Sequence, residues 1–321
     1  MHDAVHRITL CTLLLMPGAV IAQSYPAKPV RIVVGFAAGG PTDIAARLAA
    51  RKLTEKLGQQ FIVDVRPGAG GAIATEIVAK APADGYTLLV PAFAHAVNPA
   101  LHEKLPFDTG KDFAPIALFA SAANILAVHP SVPAKSVSEL IAIAKAQPGQ
   151  LTYGSAGNGT ASHLAGELFD MMAGVKLTHV PYKGSAPAST DLLGGQISAA
   201  FPGVAIALPH TRAGRLRSLA ITSLKRSRAM PEVPTMSEAG LRGFEVISWY
   251  GLLAPAGTPQ EIVQWLNAAI DRSVHEPDAL ERFASFGAEP VDMTPDAFGT
   301  FIRNELEKWA KVVKAAGMHV D

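Results

Sequence analysis

The chain has 321 residues, with 28 basic against 27 acidic side chains, 49% hydrophobic residues and 17% charged ones. That balance excludes a disordered or collagen-like chain, and the length suggests about two domains, each large enough to bury its own core. A formal charge of +1, with lysines and arginines scattered rather than clustered, supplies no basic field for a nucleic acid.

Residues 1–22 are expected to form a cleavable signal peptide. Arg7 precedes an apolar run over residues 8–16, and the small Ala22 stands before the polar Gln23 and Ser24, although Asp3 is atypical of the basic start. The run is shorter than the roughly 20 residues a bilayer span requires, so an uncleaved anchor is the weaker reading. Cys11, the sole cysteine, lies inside this run and not where a lipid attachment site would stand. The exported chain would then contain no thiol, which excludes disulfides, thiolate catalysis and cysteine metal sites and suits a bacterial periplasm.

Beyond Gln23, short β-branched or aromatic runs at 30–36, 61–65, 86–90, 125–128, 151–153, 177–180 and 216–222 alternate with helical patterns, including 43–57, 160–172, 259–274 and 295–316. This alternation predicts an α/β fold with largely parallel sheets. Two longer apolar stretches, 115–128 and 244–255, are expected to carry the chain between lobes. Lobe 1 is then residues 24–120 plus 246–321, and lobe 2, an insertion, is residues 121–245.

Two loops carry the most chemical information. Gly35-Phe36-Ala37-Ala38-Gly39-Gly40-Pro41-Thr42-Asp43 follows a strand and opens a helix, so its glycines admit close approach and the helix N-terminus offers N–H groups to an anion. Taken alone it reads equally well as a strand-to-helix turn capped by Thr42 or Asp43. Tyr153-Gly154-Ser155-Ala156-Gly157-Asn158-Gly159-Thr160 repeats the design in the other lobe, with Gly157-Asn158-Gly159 a plain tight turn on its bland reading. Facing each other, the loops would enclose a small anion with backbone amides, Ser155, Asn158, Thr160 and Ser162. Lesser candidates are the Arg66 to Gly71 turn, Tyr182 with Lys183, and His163 beside the second loop. Phe36, Phe93 and Phe201 would each either wall a cleft or fill a core.

Catalytic signatures are missing. Tyr153 replaces the first glycine of a nucleophile elbow around Ser155, no His-Glu-x-x-His occurs, and no glycine-rich loop ends in Gly-Lys-Ser/Thr. His95, His102, His129, His163, His179, His210, His275 and His319 show no metal-ligand spacing. No metal or cofactor is expected.

The stretch Tyr25-Pro-x-Lys-Pro-Val-Arg-Ile-Val-Val-Gly-Phe-Ala-Ala-Gly-Gly-Pro-Thr-Asp43 resembles the Bug, or TctC-like, family. So do Arg66 to Gly71 with Asp84-Gly85-Tyr86, residues 98–112, Pro181-Tyr182-Lys183-Gly184, Asp191-Leu192-Leu193-Gly194-Gly195-Gln196, residues 231–240 and Ala254-Pro255-Ala256-Gly257-Thr258-Pro259. The joint order of these motifs is far more specific than any one of them. The resemblance implies a two-lobed periplasmic-binding-protein fold of type II-like organisation, with a mostly parallel sheet flanked by helices in each lobe and a ligand cleft between them. It implies a monomeric, non-enzymatic receptor that delivers a small carboxylate to the membrane permease of a tripartite tricarboxylate transporter. The family's Phe-x-x-Gly-Gly-x-x-Asp loop, which binds a carboxylate through main-chain groups and water, maps onto Phe36, Ala38, Gly39, Gly40 and Asp43. The second loop maps onto Ser155, Asn158, Gly159 and Thr160, with His163 and Lys183 as neighbours. The family often has an acid near the end of the strand after Gly194-Gly195-Gln196, where this chain reads Ile197-Ser198-Ala199-Ala200-Phe201-Pro202-Gly203. Its loss removes a partner for an amino group and points to a plain or aromatic carboxylate. The competing readings are a secreted hydrolase using Ser155 or His163, which needs a general base within reach, and a receptor serving a membrane sensor.

Overall fold

The computed structural model describes residues 25–318, and the expected signal peptide over residues 1–22 lies outside the described residues, as does His319. In chain order the elements are β1 (Val30–Val34), α1 (Pro41–Leu57), β2 (Phe61–Val65), α2 (Ala72–Ala79), β3 (Thr87–Val90), α3 (Ala94–Leu101), β4 (Phe113–Ala123), β5 (Ile125–Val128), α4 (Val137–Ala146), β6 (Thr152–Ser155), α5 (Ala161–Ala173) and β7 (Thr178–Pro181). They continue with α6 (Ser185–Leu193), β8 (Ala199–Ala200), α7 (Val204–Arg212), β9 (Arg217–Ile221), β10 (Ile247–Pro255), α8 (Gln260–Ser273), α9 (Pro277–Ser285), β11 (Glu289–Pro290) and α10 (Pro295–Ala316).

Two sheets organise these elements, in the orders β11-β4-β10-β3-β1-β2 and β7-β6-β8-β5-β9. In the first, β1 pairs in parallel with both β2 and β3, while β10 runs antiparallel between β3 and β4. Its strands β1 to β4 therefore share one direction, opposed by β10 and β11. In the second, β6, β7 and β8 are parallel and β5 opposes both β8 and β9. The sheets are thus mixed with one direction dominant. The minority strands are a small edge strand and the ones that carry the chain across.

Local sequence explains the elements nearest the cavity. β1 is a run of valine and isoleucine, with only Arg31 not fully buried, as a central strand covered on both faces requires. Pro41 opens α1 at a position where a missing N–H costs nothing, and Gly58 closes it in the left-handed region by donating to the Thr54 carbonyl. α5 begins on Thr160, whose hydroxyl accepts from the His163 N–H, and ends on left-handed Gly174.

One apolar cluster fills the space between the first sheet and α1, α8 and α9, with Leu53, Leu88, Leu266 and Phe283 at its centre. A larger one runs from the opposite face of that sheet through α3 and α10 to α5 of the second sheet, joining Phe93, Trp249, Phe298 and Trp309 to Leu164 and Phe169. Trp309 is fully buried, and truncating it to alanine would cost about 3–5 kcal/mol.

The chain passes from β4 to β5 through the single residue Asn124, and from β9 back to β10. Thr222, 0% exposed, ties these passages together. Its hydroxyl accepts from the Asn124 N–H at 2.9 Å and donates to the Val246 carbonyl at 2.6 Å, while its own N–H donates to the Asn124 carbonyl at 2.9 Å. A valine has the same shape but would leave the Asn124 N–H and the Val246 carbonyl unpartnered in the core.

Candidate functional site

The β1–α1 loop is shaped by its backbone. A Cβ on Gly35 would stand 2.6 Å from Gly71 Cα, so two main chains touch here and only glycine fits. Asn98 on α3 donates to the Gly70 carbonyl at 3.0 Å and holds the neighbouring 66–71 turn in place. Gly39, at φ +81, donates its N–H to Asp43 Oδ2 at 2.8 Å, and Arg47 Nε approaches the same oxygen at 2.9 Å. Burial alone would raise the Asp43 pKa, but Arg47 and the Gly39 N–H together hold it below its ordinary value. Asp43 Oδ1 is buried without a partner among the described residues. Among the described residues no acceptor faces the N–H groups of Thr42 and Asp43.

Side chains shape the β6–α5 loop instead. The Ala156 N–H donates to Ser162 Oγ at 2.9 Å, Gly157 to Ser155 Oγ at 3.1 Å and Gly159 to His163 Nδ1 at 3.1 Å. Thr160 Oγ1 donates to the Gly157 carbonyl at 2.7 Å. The N–H groups of Asn158, Ala161 and Ser162 face no acceptor among the described residues. Behind the loop, the imidazoles of His163 and His179 stack at 4.0 Å, and His179 lies against the Tyr153 ring at 4.8 Å. His179 Nε2 is 2.6 Å from Ser155 Oγ, and Tyr153 donates to Glu167 Oε1 at 2.6 Å. Gly166 makes room for the Tyr153 ring, which would lie 2.1 Å from a Cβ there.

Charge in this layer is set by burial and neighbours. Burial, reinforced by the neighbouring His163, pushes the His179 pKa down to about 4. Burial works against ionising Glu167, yet contacts from His163 and Tyr153 hold it at about 2. Asp170, buried one turn further on, is raised to about 6. His95 on α3 is buried, with neither ring nitrogen partnered among the described residues, and burial lowers it to about 3.

Both loops open on one cavity of about 480 Å³. Its walls are Phe36, Pro41 and Thr42 from the first loop, Asn158 to Ala161 from the second, Ala69 and Gly70 from the 66–71 turn, Phe93, Asn98, Leu101 and His102 along α3, and Ser248 and Tyr250 from β10. Among the described residues no lysine, arginine, aspartate or glutamate lines it. Two helix N-termini therefore supply the positive end of the site as partial charges on main-chain amides. Among the described residues no group of three or more His, Cys, Asp or Glu is placed to hold a metal, and no helix is long and apolar enough to cross a membrane.

Of the residues expected from sequence, Phe36, Asn158, Gly159 and Thr160 line the cavity. Ala38, Gly39 and Gly40 follow Phe36 on the same loop without lining the cavity, and the Asp43 carboxylate is turned back onto the Gly39 N–H. Ser155 is 1% exposed and His163 5%, both beneath the second loop. Lys183 is exposed on a segment tied to that loop through Gly184 N–H to the Ala156 carbonyl at 3.1 Å. Phe93 walls the cavity, whereas Phe201 packs edge-on against Tyr153 in the core. Sequence reasoning missed Leu101, His102, Ser248 and Tyr250. The period-2 alternation of β10, which puts Ser248 and Tyr250 on one face, is the signal that could have found the last two.

The Ser155–His179 contact has the reach a hydrolase needs, but Ser155 Oγ is buried, accepts from the Gly157 N–H, and lies outside the cavity lining. It braces a loop.

The sequence profile of the tripartite tricarboxylate transporter family receptors, TctC, matches residues 45–318. Protein BugT of Bordetella pertussis is 40% identical over 300 residues, covering 93% of this chain and 92% of BugT. An R. palustris protein solved with adipate aligns at a TM-score of 0.75 and 39% identity, over 92% of this chain and 100% of the other. MatC from Rhodopseudomonas palustris with bound malate aligns at a TM-score of 0.72 and 35% identity, over 90% and 100% of the two chains. With a family profile spanning most of its length and relatives of this identity along nine-tenths of it, the chain belongs to the TctC, or Bug, family of periplasmic solute-binding receptors of tripartite tricarboxylate transporters, transport receptors and not enzymes.

Proposed function

We propose that this receptor binds a small carboxylate in the cavity between the β1–α1 and β6–α5 loops and delivers it, as a monomer, to the membrane permease of its transporter. The observation that carries the reading is the pair of helix N-termini with unengaged N–H groups on one cavity that has no charged side chain in its lining. Amides fixed by the fold hold a carboxylate without the desolvation cost of a buried lysine or arginine. Relatives bind adipate and malate, which fits an anion-directed site.

In this reading Phe36, Thr42, Asn158, Gly159 and Thr160 meet the ligand. Ala38, Gly39, Gly40, Asp43, Ser155 and His163 set the loop conformations, and Lys183 adds a positive charge at the rim. Lobe 1 is residues 24–120 plus 246–321 and lobe 2 residues 121–245, with the crossings at Asn124 and Thr222 as the hinge about which they close. Support for two such lobes comes from sheet membership, since the first sheet draws on β1 to β4, β10 and β11 and the second on β5 to β9, with β4 running past residue 120 to Ala123 before the crossing. The chain reaches the periplasm by cleavage of residues 1–22.

The test is mass spectrometry of the solute retained through purification, followed by a thermal-shift screen of organic acids. Saturation at 100 times Kd adds about 2.7 kcal/mol, an upward shift of a few degrees. A retained solute with no carboxylate, together with no shift from any acid, would refute the reading.

A further inference from the structure

Beside the ligand cavity lies a second and much smaller chamber of about 10 Å³, room for one water molecule and nothing larger. Its walls include Gly35 and Phe36 on the first loop, Gly70 and Gly71 on the 66–71 turn, Ala92 after β3, and His95 on α3. Phe36, Gly70 and Ala92 also line the ligand cavity, so the two spaces share a wall. The chamber borders polar groups that the protein leaves without partners. His95 is 5% exposed, and neither ring nitrogen has a hydrogen-bond partner among the described residues. Hydrocarbon takes up its flanks, with the Phe113 ring edge-on at 5.2 Å and the Trp249 ring at 6.5 Å. The pairing of β1 with β3 ends at Val34 and Val90. Beyond it the N–H groups of Gly35, Phe36 and Ala92 face no acceptor among the described residues.

Burial keeps the His95 ring neutral at ordinary pH, with one N–H and one lone pair. A molecule that joins the loop to the lone pair must accept from an N–H and donate to a nitrogen. Water does both, whereas a simple anion cannot donate and a metal ion cannot accept. We propose that the chamber holds one structural water, which accepts from the Gly35 or Phe36 N–H and donates to His95, and that His95 is thereby a positioning residue for the first ligand loop. Asn98, one turn further along α3, already holds the 66–71 turn through the Gly70 carbonyl. With the water in place, one face of α3 steadies both segments that carry the wall shared with the ligand cavity. The water site stands apart from the carboxylate reading above, and only its bearing on binding rests on that reading.

Three measurements on the full exported chain test it, and none of them uses a ligand, so their failure leaves the carboxylate reading intact. A high-resolution crystal structure should show one water within about 2.7–3.2 Å of a His95 ring nitrogen and of the Gly35 or Phe36 nitrogen. A chamber without that density, or a His95 bonded directly to protein, overturns the proposal. His95→Leu fills much of the same space without either nitrogen. Were the ring simply unpartnered, losing it would raise the melting temperature; with a water bridging it, the loop loses its support and the melting temperature should fall by a few degrees. Hydrogen exchange at the Gly35 and Phe36 amides should quicken about 10-fold or more relative to amides of α8. His95→Gln, whose amide offers the same donor and acceptor, should recover most of both effects. A rise in melting temperature, or unchanged exchange at those two amides, overturns the proposal. Should His95→Leu not fold, His95→Gln decides: slow exchange with the water retained supports the proposal, and slow exchange with the water gone overturns it.

Discussion

The β1–α1 and β6–α5 loops end alike, each presenting helix N-terminal amides to one cavity, yet they are held from opposite directions. The first leans on backbone: glycine against glycine at Gly35 and Gly71, Pro41 at the helix start, and a single carboxylate, Asp43, folded back onto Gly39. The second leans on side chains, with Ser155, Ser162 and His163 each accepting a loop N–H, His179 and Tyr153 stacked behind them and Glu167 accepting from Tyr153. The first should therefore fail when a Cβ is added. The second should fail when a polar atom is removed or a proton added.

Gly35→Val forces a Cβ into Gly71 Cα and should have the largest effect, a loss of about 3 kcal/mol or more in denaturant unfolding with binding abolished. His163→Leu removes the acceptor of the Gly159 N–H and one contact of Glu167; we expect a loss of about 1–3 kcal/mol and an affinity at least about 10-fold weaker, partly restored in His163→Gln. If His163→Leu bound normally, the side-chain account of the second loop would be wrong.

Acid should loosen the second loop before the first. His179 and His95 bind their protons more weakly in the fold, at about 4 and about 3 against an ordinary 6.5. As pH falls through that window the unfolded chain takes up the extra protons, so stability is full above about 6.5 and declines toward 4. Asp170, raised to about 6, works in the opposite sense, binding its proton more tightly in the fold and offsetting part of the loss between 6 and 4. Below that, Glu167, held near 2, adds its own decline. Thermal melts from pH 7.5 to pH 4 should show a net fall of several degrees, reduced in His179→Gln. A melting temperature that rose on acidification would contradict the burial of the histidines.

The smallest effect comes at the cap of α5. Thr160→Ala should cost about 1 kcal/mol, because its hydroxyl caps the helix, whereas Thr160→Gly should cost about a few tenths of a kcal/mol. No loss for Thr160→Ala in denaturant unfolding would remove this side-chain cap from the account of the second loop.

Much of the frame was legible in the sequence. Strand runs such as 61–65 and 125–128 and the helix over 295–316 appear where β-branched runs and apolar periodicity put them, because those signals are local. The glycine-rich loops were legible too, since few residues other than glycine tolerate such turns. Long-range partners were not. Nothing in the local pattern says that His179 stacks on His163, that Ser155 turns inward to it, or that Asp43 folds back onto Gly39.

By itself the sequence determined the alternation of strand and helix, two glycine-rich loops at helix starts and the absence of known catalytic patterns, all of which follow from neighbours along the chain. Tertiary structure alone decided that both loops open on one cavity, that α3 and β10 complete its walls, and that no charged side chain lines it. Those are facts about residues far apart in sequence, such as Thr42, Asn158 and Tyr250, brought together only when two sheets pack through a shared core.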